Sequence, residues 1–98
     1  MKTPRRRARE LAVQALYQAG INNTAAPEIA KNIQDQPDFA KADEELFNKL
    51  FFGTHTHAAE YIQQIRPLLD RDEKDLSPIE RAVLLMACHE LSAMPETP

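Results

Sequence analysis

Apolar residues recur at helical spacing in four stretches of this chain. In the first, Arg5–Tyr17, the residues Ala8, Leu11, Ala12, Ala15 and Leu16, continued by Ala19, follow the i, i+3, i+4, i+7 rhythm of a buried stripe. Val13 and Tyr17 fall on the opposite side, in line with Arg6, Arg9 and Glu10. A second, shorter helix is predicted to start near Thr24 or Ala25. Its stripe of Ile29, Ala30 and Ile33 is thin, which marks it as a peripheral element. The third and longest begins near Asp43, with Leu46, Leu50, Thr54, His57, Ala58, Tyr61 and Ile65 at helical spacing, joined by Phe47 and Phe51. The fourth, Ile79–Ser92, is apolar on most faces through Ala82–Cys88, so it needs cover on several sides.

Local signals place the ends. Thr3 can cap the first helix with Pro4 at its first position, and Gly20 is expected to close it in a left-handed C′ geometry. Pro27 suits the first turn of the second helix, and Gln36-Pro37-Asp38 ends it. Glu44 and Glu45 sit where the dipole of the third helix favours negative charge. Gly53, in mid-helix, costs about 1 kcal/mol against Ala, and close approach of another helix is its expected reason. Pro67 breaks the helix at Arg66; Leu68-Leu69 should then pack in a short turn before the solvated run Asp70–Asp75. Ser77-Pro78-Ile79-Glu80 has the form of a capping box.

Ninety-eight residues make one domain at most, residues 1–98, or a piece of a larger one, and two glycines are too few for the turns of an all-β fold. The expectation is all-α. The formal charge of −3 conceals an asymmetry. Lys2, Arg5, Arg6, Arg7 and Arg9 lie within the first nine residues, whereas the rest of the chain holds seven basic and 15 acidic residues, a balance of −8. Cations at a helix N-terminus oppose the backbone dipole by about 0.3–1 kcal/mol each. Such a cluster calls for an anion, and the same helix presents the aromatic ring of Tyr17 beside guanidinium groups. The lone Cys88 reads as a small buried hydrophobe, and LAVQAL is too short and too polar for a secretory core. No stretch approaches a membrane span, so a cytoplasmic protein is expected.

Catalytic chemistry is not indicated. Two glycines cannot build a phosphate loop, and the scattered carboxylates form no acid–base pair. His55 and His57 point about 200° apart on a helix, the wrong spacing for a metal. His89 and Glu90 read as a solvated pair. Neither an enzyme, a cofactor nor a metal site is expected.

Three blocks together, RRRARELAVQALY at Arg5–Tyr17, LFNKLFFG at Leu46–Gly53 and IERAVLLMACHELS at Ile79–Ser92, make the chain resemble the NusB family of bacterial transcription antitermination factors. The resemblance spans the whole chain, but members of the family are longer. It implies an all-α helical bundle of two packed halves, the second incomplete here because two closing helices follow where this sequence ends. It also implies an RNA-binding factor that takes single-stranded boxA RNA of ribosomal RNA transcripts together with ribosomal protein S10. The pair would act within the RNA polymerase antitermination complex. Carried over by residue, the RNA contacts are Lys2, Arg5, Arg6, Arg7, Arg9 and Tyr17. An alternative is the N-terminal RNA-binding domain of an rRNA cytosine methyltransferase; the dense RRRARE start and the absence of a following cofactor-binding segment weigh against it. A protein-binding adaptor gripping an acidic partner is a third reading. Without the closing helices, the apolar Ala82–Cys88 segment predicts a marginal monomer or one that covers itself by self-association.

Overall fold

The computed structural model describes residues 3–22, 24–69 and 72–94. Among them are five α-helices: α1 (Pro4–Ile21), α2 (Ala26–Gln34), α3 (Glu44–Thr56), α4 (Ala58–Ile65) and α5 (Pro78–Ala93). Short 3₁₀ turns occupy Pro37–Lys41, Arg66–Leu68 and Glu73–Asp75, and no strand is present among the described residues. The protein is all-α, as its periodicity predicts.

The starts of the helices follow local chemistry. Thr3 Oγ1 accepts from the Arg6 amide at 3.1 Å, Asp43 Oδ1 from the Leu46 amide at 3.0 Å, and Ser77 and Glu80 exchange both capping-box bonds. Each such cap stabilises its helix by about 1 kcal/mol. The ends obey it less. Gly20 does not close α1: the helix runs through it to Ile21, no glycine has a positive φ, and the Asn22 amide bonds the Gln18 carbonyl at 2.9 Å. The expected long third helix is two. At His57 the backbone leaves helical geometry (φ −105°, ψ 14°), and the chain turns so that α4 lays Tyr61, Ile62 and Ile65 onto Leu85. α1 is therefore the longest helix. The break at Arg66 falls where Pro67 predicts, but Leu68 is 80% exposed and does not pack. Part of the Asp70–Asp75 run lies outside the described residues.

α1 is packed on three sides, against α2, α3 and α5. Its stripe of Ala8, Leu11, Ala12, Ala15 and Leu16 meets Phe47, Leu50 and Phe51 of α3 and Ala82 and Met86 of α5. α2 is peripheral in position but deeply seated, with Ile29 and Ile33 fully buried. Phe39, in the 3₁₀ turn after it, presents its edge to Phe47 at 5.2 Å. The Asp43 amide donates to the Pro4 carbonyl at 3.0 Å and ties the start of α3 to the start of α1. Small side chains along α1 let these neighbours pack against it on three sides, which leaves its remaining face turned to solvent.

Candidate nucleic-acid interface

Successive residues of a helix are offset by about 100°, so four arginines in five positions cannot share one face. Arg6 stands on the solvent crest of α1, in register with Glu10 and Tyr17. Arg5 and Arg9 fall on the flank toward α3 and α5, and Arg7 on the other flank. Each of these side chains remains at least partly accessible, and Tyr17 is 38% exposed. Val13, expected beside Tyr17, packs partly into the core. The cluster thus wraps the first two turns of the helix while the ring stands about two turns further on. Lys2 lies outside the described residues.

Carboxylates temper the charge. Arg6 Nε lies 3.5 Å from Glu10 Oε1, an exposed i,i+4 pair. Arg9 turns away from the crest: its Nε donates to Glu90 Oε1 at 2.9 Å, with both side chains about one-quarter exposed. Arg5 borders a cleft with Asp43, Glu45 and Lys49, and Lys49 itself pairs with Glu45 at 3.0 Å. Exposed pairs such as Arg6–Glu10 contribute only about 0.2–1 kcal/mol, so an incoming phosphate can compete for the Arg6 guanidinium, whereas the Arg9–Glu90 pair is mostly buried. Their effect is to hold arginines against a dipole that would repel them. Glu90 was not visible as part of this site from sequence: it pairs across 81 positions, with no local signal.

His89 corrects the expectation of a solvated pair more sharply. Its ring is 6% exposed and sits where α3, α4 and α5 meet. Nδ1 lies 2.8 Å from the Tyr61 hydroxyl, and the ring also bonds the Lys49 backbone carbonyl. These partners assign the tautomer: Nε2 donates to Lys49, and Nδ1 accepts from Tyr61. Burial pushes the imidazole below its ordinary value, partly opposed by the Lys49 bond and Glu90 and assisted by His57. Burial first, then Glu60 and Cys88, raises Tyr61 and keeps it a donor. His89 is therefore an internal strut. Gly53 explains how it fits, since a Cβ there would run into the His89 ring. The close approach expected at Gly53 is thus a single imidazole pressed against bare backbone.

The other histidines remain outside the interface. His57 lies 3.6 Å from Glu60, and among the described residues no group of three or more His, Cys, Asp or Glu is placed to hold a metal. No helix of the described residues is long and apolar enough to cross a membrane.

A family model described as the NusB family matches residues 6–98. A protein of Neisseria meningitidis (serogroup A, serotype 4A) named "Transcription antitermination protein NusB" is 86% identical over all 98 residues, which span 70% of its length. A protein of the same name from Neisseria gonorrhoeae is 84% identical, again over 70% of its length. One from Laribacter hongkongensis is 49% identical, with 59% of its length covered.

Proposed function

The chain belongs to the NusB family, and from that premise we propose that it is a non-enzymatic transcription antitermination factor working through single-stranded RNA. In this reading it is cytoplasmic, binds boxA RNA of ribosomal RNA transcripts jointly with ribosomal protein S10, and acts on RNA polymerase through that complex. The contacts are Arg5, Arg6, Arg7 and Arg9, with Lys2 in the arm before them and Tyr17 beyond. One observation carries it: a charge cluster that opposes its own helix dipole stands with an exposed aromatic ring on a helix packed on three sides. Phosphates would replace the exposed carboxylate partners at the guanidinium forks, and Tyr17 would stack a base. The relatives matched over this whole chain carry the antitermination name, which favours the stand-alone factor over a methyltransferase module.

The test is binding of a boxA-like RNA across a salt series, with and without S10. Each phosphate neutralised contributes about −0.7 to the slope of log K against log salt for single strands. Arg6→Ala with Arg9→Ala should flatten that slope and weaken binding without loss of helicity. Tyr17→Ala should weaken binding by about 1–3 kcal/mol, with Tyr17→Phe nearly silent. A double arginine variant that binds like the parent would place the RNA elsewhere.

Self-association of this 98-residue chain is part of the same proposal. Ile79 and Val83 are about half exposed and Leu91 is 80% exposed on the outer side of α5, with Leu84 half-buried beside them. Burying such a side chain stabilises by about 1.5–3 kcal/mol when complete. Sedimentation should show concentration-dependent dimers that Val83→Lys abolishes; a monomer at every concentration would refute it.

A further inference from the structure

Resting on the RNA reading, we propose that Glu90 is a positioning residue for RNA binding: the strand does not displace it, and it holds the Arg9 guanidinium where a phosphate can meet it. Arg6–Glu10, Lys49–Glu45 and His57–Glu60 are pairs three or four positions apart, between side chains open to water. Arg9 and Glu90 are 81 positions apart, and their contact joins α1 to α5. Only about one-quarter of each side chain is exposed. Separating them would strand two part-buried charges, whereas the exposed pairs exchange partners at little cost.

The place of Glu90 is set from the interior. His89, one residue before it, is buried between the Tyr61 hydroxyl and the Lys49 carbonyl, against the bare backbone of Gly53. Those contacts fix the rotation of this turn of α5. The next residue lies about 100° around the helix, and there the Glu90 carboxylate reaches Arg9. The atom it takes matters. Glu90 Oε1 accepts from Nε at 2.9 Å, and Nε is the inner nitrogen of the guanidinium. Holding Nε restrains the plane of the group, while Nη1 and Nη2 form the edge that suits a phosphate. An arginine already held in place has less side-chain freedom to lose when it takes a ligand. Charge alone argues the reverse, since an acid beside a polyanion site repels the polyanion. Burial of the pair and its contact through Nε decide for positioning, and the two effects differ in sign.

The test is binding of a boxA-like RNA by Glu90→Ala, Glu90→Gln, Arg9→Ala and the double variant Arg9→Ala with Glu90→Ala. Glu90→Ala should weaken binding about three- to tenfold although it removes a negative charge, a loss smaller than the full worth of a charged hydrogen bond. Glu90→Gln keeps an acceptor oxygen for Nε and should recover most of that loss. With Arg9→Ala nothing is left to position, so adding Glu90→Ala should weaken binding no further. The Arg9 Nε–H resonance should stay protected from solvent exchange when RNA binds, a readout that needs no substitution. Unchanged or tighter binding by Glu90→Ala, or an Arg9 Nε–H that RNA opens to exchange, would make Glu90 a bystander or a competitor and overturn the proposal. Equal losses in Glu90→Ala and Glu90→Gln, matched by lost helical signal, would leave it a structural role only and overturn it too. So does a loss that persists undiminished beside Arg9→Ala. If Arg6→Ala weakens binding and Arg9→Ala does not, the RNA reading stands and this inference alone falls. A parent that binds no RNA removes both.

Discussion

The two glycines of this chain occupy the same kind of backbone for opposite reasons. Both are helical and neither has a positive φ. Around Gly53 the space is filled, because the imidazole of His89 lies where a Cβ would go and is held by Tyr61 and the Lys49 carbonyl. Around Gly20 the space is open, with the nearest obstacle the far end of Arg81. A missing side chain serves packing in the first region and vacancy in the second. The same split separates the polar residues. His89 is sealed inside and structural, whereas Arg6 and Tyr17 stand on the solvent side of α1 and are available to a partner.

Substitution at Gly53 should break this comparison most visibly. Gly53→Ala forces the His89 ring aside, at about 1–3 kcal/mol for overpacking, and more if Tyr61 and Lys49 lose their bonds. At about 4–8 °C per kcal/mol for a domain of this size, thermal melts will resolve it. If the ring is the obstacle, His89→Ala should relieve part of the cost, so the double variant should be more stable than the single effects sum to. Additive effects would show that Gly53 is required for another reason.

A smaller effect comes from pH, since the ring can stay in place. His89 titrates below its ordinary 6.5 because it is buried, so the unfolded chain binds a proton more readily than the folded one. Its contribution to stability is therefore fully present above pH 6.5 and is lost as pH falls through the folded value. His57, Glu60, Glu90 and the Lys49 backbone face the same region and modulate that loss. Urea melts across the range should show this decline, and His89→Gln should flatten it. An unchanged slope would mean that the imidazole is not held neutral. The smallest effect should come from Gly20→Ala, which meets no obstacle and should leave stability equal or raise it by up to about 0.5–1 kcal/mol. A loss there comparable to that at Gly53 would collapse the distinction.

Much of this was legible from the chain itself. Thr3, Asp43 and Ser77 marked three helix starts, the apolar spacing of Ala8–Leu16 and of Leu46–Thr54 named most of the core, and Ala82–Cys88 announced a helix with more apolar surface than its neighbours could cover. Those signals are legible because capping bonds and helical periodicity act within three or four residues. The arginine cluster and Tyr17 were visible for the same reason, as a local breach of the dipole rule on one helix.

What the chain could not announce depends on residues far apart. Spacing carries Tyr61 and Ile65 on as one long helix, but only the position of Leu85 makes a turn at His57 favourable. Spacing gives His89 and Glu90 as neighbours at a helix end; tertiary packing buries the first under Gly53 and gives the second to Arg9. Gly20 reads as a stop signal until α5 arrives beside it with Arg81, when its helical neighbours carry the helix through it to Ile21. A residue's own preferences set what it can do, and burial, which is decided by the whole fold, selects which of those things it does.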